Sequence, residues 1–391
     1  MIDSVATIGD AGDLGCWSGT PYRFIEAAKS LGCDATPWRL DMAAFEWPRR
    51  FWNLRRLLAG RGRGGFQYSR EFSRRALGMV DKRLLGGRIV AFNQHFPSVQ
   101  DVEGSGGRIC FYLDATFPLL LERYSLAATL PRDVQEKCLE AEREAFQRAE
   151  RLVFFQRWSA ESAVRDCGAD PRKVSVICPG ANFELPEDWR PQFKPGSPSD
   201  SRPLVLGFVG KDWKRKGLPF LLDVRRQLAR MGVPTVVRCA GPITDSAPKE
   251  PGVEHWGFIN KATEGKRFLD FIRSCDVGCL FSEAEASSIA ILEFLRAGIP
   301  VAGFTVDGMA DLFPHDASFA FSPGTDSFTV AASIKATYAN EGAVLKLRSC
   351  ARQWSPLVTW ERCVREWKEL LLTGAIAEPV QLWRGLQQVA P

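Results

Sequence analysis

Glu285 and Glu293 stand eight positions apart in the run SEAEASSIAILEFLRAGIPVAG. The first falls in a loop and the second inside the apolar helix that the loop opens, about 7–8 Å along the axis of a helix starting near Ser288. Just upstream, Val277 to Phe281 is a short apolar run that reads as a buried strand. Loops at the carboxyl ends of strands are where open α/β sheets bind ligands. Two carboxylates so placed could each hold a different part of one polar ligand, or belong to a solvated helix face. A second constellation lies in GFVGKDWKRKGLPFLL. There Leu204 to Val209 reads as a strand and Gly210 turns the chain. Lys211 and Lys216 flank a short loop, and Gly217 opens an amphipathic helix running to Arg230. Two cations at a strand's carboxyl end suit a pyrophosphate. Taken alone, the loop reads equally well as a solvated basic turn.

In this order and within one βαβ series, the two motifs resemble the retaining glycosyltransferases of the GT-B fold, close to family 4 (glycosyl transferases group 1). Gly210, Lys211, Lys216 and Gly217 match that family's Gly-Arg/Lys-x4-Lys-Gly diphosphate loop, with lysine where arginine is more usual. Glu285 and Glu293 match its Glu-x7-Glu, and Ala297, Gly298, Pro300 and Val301 match the Ala-Gly-x-Pro-Val that follows. WSGTPYRFIEAAKSLG is similar to the family's first loop and helix, and VFFQRWSAESAVRDCGADPRKVSVICPGANFE to the segment closing the amino-terminal domain. Thr359-Trp360 resembles the start of the helix that crosses back between domains. The resemblance covers most of the chain, strongest over 204–305 and weakest over 41–105.

What the resemblance implies is an α/β chain of GT-B fold, with two Rossmann-like domains facing a cleft and a carboxyl-terminal helix crossing back to the first domain. The implied activity moves a hexose-type sugar from a nucleotide-sugar donor to an unidentified acceptor, with retention of configuration. The implied catalytic set is Glu285 at the donor sugar, Lys211 and Lys216 at the leaving diphosphate, and Asp114 or His95 on the acceptor side. The implied donor-binding set is Gly15, Gly19, Gly210, Phe258, Ile259, Ser287, Ser288 and, on the ribose, Glu293. No metal and no cofactor is expected, because the lysines supply the charge. The alternatives are a catalytically silent scaffold that binds a nucleotide sugar and a sugar-nucleotide epimerase of the same fold. Two departures stand out. The family commonly has Gly-x-Gly after the first glutamate, whereas Ala286, Ser287 and Ser288 follow here, where a positive φ is costlier. The family's amino-domain histidine has two counterparts, Asp114 in FYLDATF and His95 in AFNQHF.

The elements that must position these residues alternate between strand and helix. Ser4 to Ile8, Arg88 to Phe92, Arg108 to Leu113, Leu152 to Phe155 and Val174 to Cys178 read as strands. Thr20 to Leu31 (capped by Ser18 or Thr20), Pro131 to Ala149 and Ser159 to Asp166 read as helices. Beyond RPQFKPGSPSDSRP come strands 204–209, 235–239, 277–281 and 300–304 and helices 217–230, 264–274 and 288–297. This alternation predicts parallel sheets with helices on both faces. The expected division is an amino-terminal domain over 1–190, a linker over 191–203, a donor domain over 204–358 and a crossing helix and tail over 359–391. In the last helix, Trp360, Val364, Trp367 and Leu371 form an apolar stripe that must pack on something. The loop GDAGDLGCWSGTP follows a strand and precedes a helix, but its spacing is not G-x-G-x-x-G, which argues against a nicotinamide site. Gly15 or Gly19 lets the backbone near donor phosphates, or the loop is a plain turn.

At 391 residues two domains are expected, and 45% hydrophobic with 25% charged residues is ordinary for a soluble chain. No apolar stretch approaches the ~18 residues of a membrane span, and MIDSVATIGDAGD has no signal-peptide core. The eleven cysteines are scattered without a C-x-x-C pair and read as reduced core residues of a cytoplasmic protein. With three histidines, none spaced as ligands, zinc is not expected. One segment is unusual: residues 49–88 hold twelve Arg or Lys against Glu71 and Asp81, a formal +10 in a chain of +5. Phe51, Trp52, Leu54, Leu57, Leu58, Phe66, Phe72, Leu77 and Val80 interleave with the cations. This composition suits an anionic membrane surface, the inner membrane face included, or an anionic, lipid-linked acceptor. The plainer reading is a pair of solvated helices whose apolar face completes the domain. Nucleic acid matches the charge but has no recognition motif to support it.

Overall fold

The computed structural model describes residues 1–124, 126–190, 198–241 and 248–376. They form two compact units: Met1–Cys178 together with residues 363–376, and Pro179–Arg362. The expected linker falls outside the described residues over 191–197, as does the tail beyond 376. Among the described residues no helix is long and apolar enough to cross a membrane.

The first unit runs β1 (Ser4–Ala6), α1 (Thr20–Ser30), β2 (Thr36–Pro37), α2 (Glu46–Leu58), α3 (Arg70–Leu77), β3 (Arg88–Ala91), α4 (Val99–Glu103) and β4 (Arg108–Leu113). It continues with α5 (Phe117–Arg123), α6 (Leu126–Thr129), α7 (Arg132–Arg148), β5 (Arg151–Phe154), α8 (Arg157–Arg165) and β6 (Val174–Val176). Its six strands are parallel in the order β2-β1-β3-β4-β5-β6. Strand β4 shows why an unbroken apolar run is needed. Successive side chains leave on opposite faces, and helices cover both. Ile109, Phe111 and Leu113 join Phe146 and Phe154 in one core. On the other face Tyr112 meets Phe24 of α1 at 5.8 Å between ring centroids.

The second unit runs β7 (Leu204–Val209), α9 (Leu218–Arg230), β8 (Thr235–Ala240), β9 (Val253–Gly257), α10 (Gly265–Arg273), β10 (Val277–Leu280) and α11 (Ile289–Arg296). It continues with β11 (Val301–Phe304), β12 (Ser318–Phe321), α12 (Ser327–Tyr338), α13 (Glu341–Trp354) and α14 (Trp360–Thr373). Its six strands are again parallel, in the order β12-β11-β10-β7-β8-β9. Helix α11 sits close on this sheet because the strands beneath it carry glycine: a Cβ on Gly278 would lie 2.1 Å from Phe294 Cγ. The expected strands and helices are all present with ends shifted by a few residues. Strands β2, β9 and β12 and helices α4, α5, α6, α12 and α13 are additional to those read from sequence. Helix α14 begins in the second unit and ends in the first. In the first unit Trp367 meets Tyr112 at 5.3 Å and Phe24 at 6.0 Å. Its apolar stripe differs by one residue from that expected: Leu370 is buried and Leu371 half-buried.

Two local expectations are corrected. Neither Ser18 nor Thr20 caps α1, whose cap residue is Gly19 with φ +88° and no side-chain cap bond. A capping hydroxyl needs an extended backbone, and Trp17 and Ser18 are left-handed at φ 48° and 59°. In the basic segment, Trp52, Phe66 and Phe72 do not face solvent: Phe66 and Phe72 are buried, and Trp52 packs against their cluster. Arg56 is buried too, holding Asp133 with two bonds of 2.6 and 3.0 Å.

Candidate functional site

In the second sheet the strand order reverses between β7 and β10, which are neighbours. Loops that leave a parallel sheet on either side of such a reversal part from each other and open a ligand crevice. Both sequence motifs occupy these loops. The loop after β7 is pressed onto the end of β10. A Cβ on Gly217 would sit 1.9 Å from the Phe281 carbonyl oxygen, and the residue is left-handed at φ +78°, so only glycine is accommodated. A Cβ on Gly210 would lie 2.6 Å from Cδ of Lys216, so this glycine leaves the path along which the lysine stem runs.

That path brings Lys216 Nζ to 3.0 Å from Glu285 Oε2, with the two side chains 17% and 9% exposed. Arg215 reaches the same carboxylate, Nη1 to Oε2 at 3.5 Å, and also donates to the Ala284 carbonyl. The Arg215 carbonyl accepts from Glu283 N–H at 2.9 Å, so the cation loop and the glutamate loop are stitched along their backbones. The Glu285 amide donates to Asp307 Oδ2 at 3.1 Å. Lys211 is exposed on the same loop.

Ala286, Ser287 and Ser288 adopt ordinary negative φ. The left-handed residue nearby is Asp307, at φ 49°, beyond β11. No left-handed turn is made at these three positions, and the Asp307 carboxylate accepts from the Glu285 amide. Ser288 Oγ caps α11 by accepting from Ile291 N–H at 3.4 Å, and Ser287 is half-buried. Glu293, in α11, is buried and paired with Lys261. The Lys261 ammonium also lies 4.6 Å from the Phe268 ring centroid. Phe258 is exposed and Ile259 buried, directly after β9. Arg215, Lys261 and Asp307 were not singled out from sequence. Arg215 lies among the variable positions of its motif, and the other two come from strand ends far from either motif.

In the first unit the candidates gather around another reversal, between β1 and β3. Gly19 needs its left-handed φ, whereas Gly15 has φ −74° and donates to Asp13 Oδ1 at 2.9 Å. His95 follows β3, and Asp114 follows the neighbouring β4. The His95 ring is clamped edge-on by Tyr68 and Phe117, each at 5.1 Å. Its Nε2 is buried without a partner among the described residues. Burial pushes this imidazole down to about 3, so it is neutral at physiological pH. Asp114 is half-buried, and its carbonyl accepts from Ser159 Oγ.

Beneath both loops lies Glu142 of α7, fully buried, which was not singled out from sequence. Its Oε1 accepts from Phe117 N–H at 2.8 Å, at the start of α5, and its Oε2 from the Cys167 thiol at 3.3 Å. Burial pushes its carboxyl up to about 7, against hydrogen bonds from Phe117, Cys167 and Gln94 that pull it down.

Residues 203–340 match the family described as Glycosyl transferases group 1. The chain is 26% identical over 262 residues to a D-inositol 3-phosphate glycosyltransferase of Xylanimonas cellulosilytica. That match covers 62% of this chain and 61% of the relative, so less than two thirds of the relative's length is spanned. Sucrose-phosphate synthase from Thermosynechococcus elongatus has a similar structure, with TM-score 0.61 at 15% identity, covering 94% of this chain and 98% of that one. Anabaena HepE, solved in complex with UDP and glucose, has TM-score 0.61 at 16% identity, covering 95% and 100%. These structural likenesses show the fold.

Proposed function

From a chain of GT-B fold whose residues 203–340 are a glycosyl transferases group 1 domain, we infer an enzyme that moves a hexose-type sugar from a nucleotide-sugar donor to an acceptor, with retention of configuration. The observation that carries this reading is the convergence of Lys216, Arg215 and Glu285 where the strand order reverses, with Glu293 on the helix that follows. In this reading Lys216, with Lys211 and Arg215 beside it, neutralises the diphosphate as the glycosidic bond breaks. Preorganised charge of this kind is commonly the largest single catalytic contribution. The amino-terminal end of α11 adds positive potential. Glu285 contacts the donor sugar's hydroxyls, Glu293 the ribose hydroxyls, and the backbone at Phe258 and Ile259 the base. The protein's own cations supply the charge, so no divalent ion is required. On the acceptor side Asp114 is the better candidate for proton transfer, because an imidazole pushed down to about 3 is a poor base at neutral pH. Retention rests on the motif resemblance.

A thermal-shift comparison of UDP, GDP, ADP and dTDP sugars tests the donor class. UDP sugars are the first candidates, since HepE was solved with UDP and glucose. A ligand at ~100 times its dissociation constant adds ~2.7 kcal/mol of stability, and no shift with any nucleotide sugar overturns the reading. Acceptor-dependent release of nucleoside diphosphate then separates a transferase from a silent scaffold and from an epimerase.

A further inference from the structure

Helix α2 is fastened to the first unit by one face only. Trp52 Nε1 donates to the Gly64 carbonyl at 3.1 Å, and Asn53 Oδ1 accepts from Gly64 N–H at 2.8 Å. Arg56 holds Asp133 and the Gly62 carbonyl. The opposite face is apolar and bare: Trp47 is 76% exposed, Phe51 58%, Leu54 52% and Leu58 81%. These residues are spaced four, three and four apart, which places them within about 60° of one another on a helix of 3.6 residues per turn. Isolated exposed apolar residues need no explanation, but a continuous stripe marks a contact surface. Exposed arginines flank it on both sides. Arg50 lies over the Trp47 ring at 5.1 Å, and Arg55 over the Phe51 ring at 5.8 Å. Exposed Arg61 and Arg63 follow the helix end.

We propose that the outer face of α2 is a membrane-docking surface that inserts Trp47, Phe51, Leu54 and Leu58 into the headgroup boundary of a bilayer containing anionic lipid. An apolar stripe edged by cations is the pattern of a helix lying in the interfacial plane, and tryptophan is enriched at that depth. Arginine stems can follow the apolar surface while their guanidinium groups reach lipid phosphates. Charge decides against a second copy of this chain as the occupant, because a matching helix would set arginine against arginine. The inward face explains why the helix keeps its form without lipid: its packing and hydrogen bonds are complete on that side. The docking stands apart from the transfer reaction, so either can fail alone.

Sedimentation of the full chain with vesicles tests it, using phosphatidylcholine alone and phosphatidylcholine mixed with phosphatidylglycerol, at low and high salt. Binding is expected to the anionic vesicles and to weaken as salt shortens the Debye length from its ~10 Å at 0.1 M. The combined variant Trp47→Gln, Phe51→Gln, Leu54→Gln, Leu58→Gln should melt as the parent does, because its changes are exposed, and should lose binding. Arg50→Gln with Arg55→Gln keeps the stripe and should weaken partition roughly 30-fold, on the scale of one cation near an anionic surface each. Three outcomes overturn the proposal: no binding by the parent chain, equal binding to neutral and anionic vesicles, or binding that survives both sets of substitutions. Concentration-dependent dimerisation abolished by the stripe variant, without vesicle binding, would overturn it as well and assign the face to a second copy.

Discussion

Replacing Lys216 with alanine separates catalytic from structural roles, because the two costs differ in size. The ammonium lies 3.0 Å from Glu285 Oε2 in a largely enclosed position. At an effective dielectric of ~20 the bare attraction at that distance is about 5 kcal/mol, but desolvation of both groups offsets most of it. Arg215 remains 3.5 Å from the same oxygen, so the carboxylate keeps a cation. The fold should therefore lose about 1 kcal/mol, a fall in Tm of roughly 2–4 °C for a unit of this size. Turnover is a different matter. Deleting one preorganised group aimed at developing charge typically costs 10²–10³ in rate, about 2.7–4 kcal/mol. Initial rates of nucleoside diphosphate release at saturating donor, beside melts of the same preparation, measure both. Near-normal turnover in a variant that melts within a few degrees of the parent would remove Lys216 from the reaction. A collapse of Tm far beyond that range would show the ion pair to be mainly architectural.

Other perturbations address the remaining parts of the site. Glu293→Gln should weaken nucleoside diphosphate binding in calorimetric titration, whereas Glu285→Gln should leave that affinity nearly unchanged and lower turnover; equal losses of affinity would refute the division of roles. Gly217→Ala forces a Cβ to 1.9 Å from the Phe281 carbonyl at φ +78°. It should destabilise by well over 1 kcal/mol, in contrast to the mild Lys216→Ala, and an unchanged melt would contradict the packing of this loop. For Glu142, the folded chain holds the proton up to about pH 7 while the unfolded chain releases it near 4.5. Its contribution is therefore fully present below about pH 4.5, falls as pH rises to about 7 and is flat above, a total near 3 kcal/mol. His95 opposes this between about 3 and 6.5, since the folded imidazole resists the proton that the unfolded one accepts. The difference between Glu142→Gln and the parent isolates the carboxyl: the variant should gain relative stability from pH 5 to pH 8, and a constant difference would show that Glu142 ionises normally.

Much of this protein is legible in local sequence. Period, composition and punctuation are properties of a few neighbouring residues, and they suffice for the alternating elements and for the two parallel sheets. They also suffice for the two motifs, because Gly210, Gly217 and the lysines between them lie within one loop, and Glu285 and Glu293 lie within one loop and helix. What they do not contain is which loop meets which. Lys216 and Glu285 touch because β10 lies beside β7, out of chain order, and no window of sequence carries that adjacency. For the same reason Arg215, Asp307 and Lys261 became visible only once the strands were in place. The basic segment shows the limit most plainly. Its composition announced cations and aromatics together, yet whether an aromatic faces core or solvent depends on which side of α2 is bound. Tertiary packing turned Trp52 and Arg56 inward and left Trp47, Phe51, Leu54 and Leu58 outside. A helix face becomes a core face only when something is there to cover it, and that partner is chosen by the whole fold.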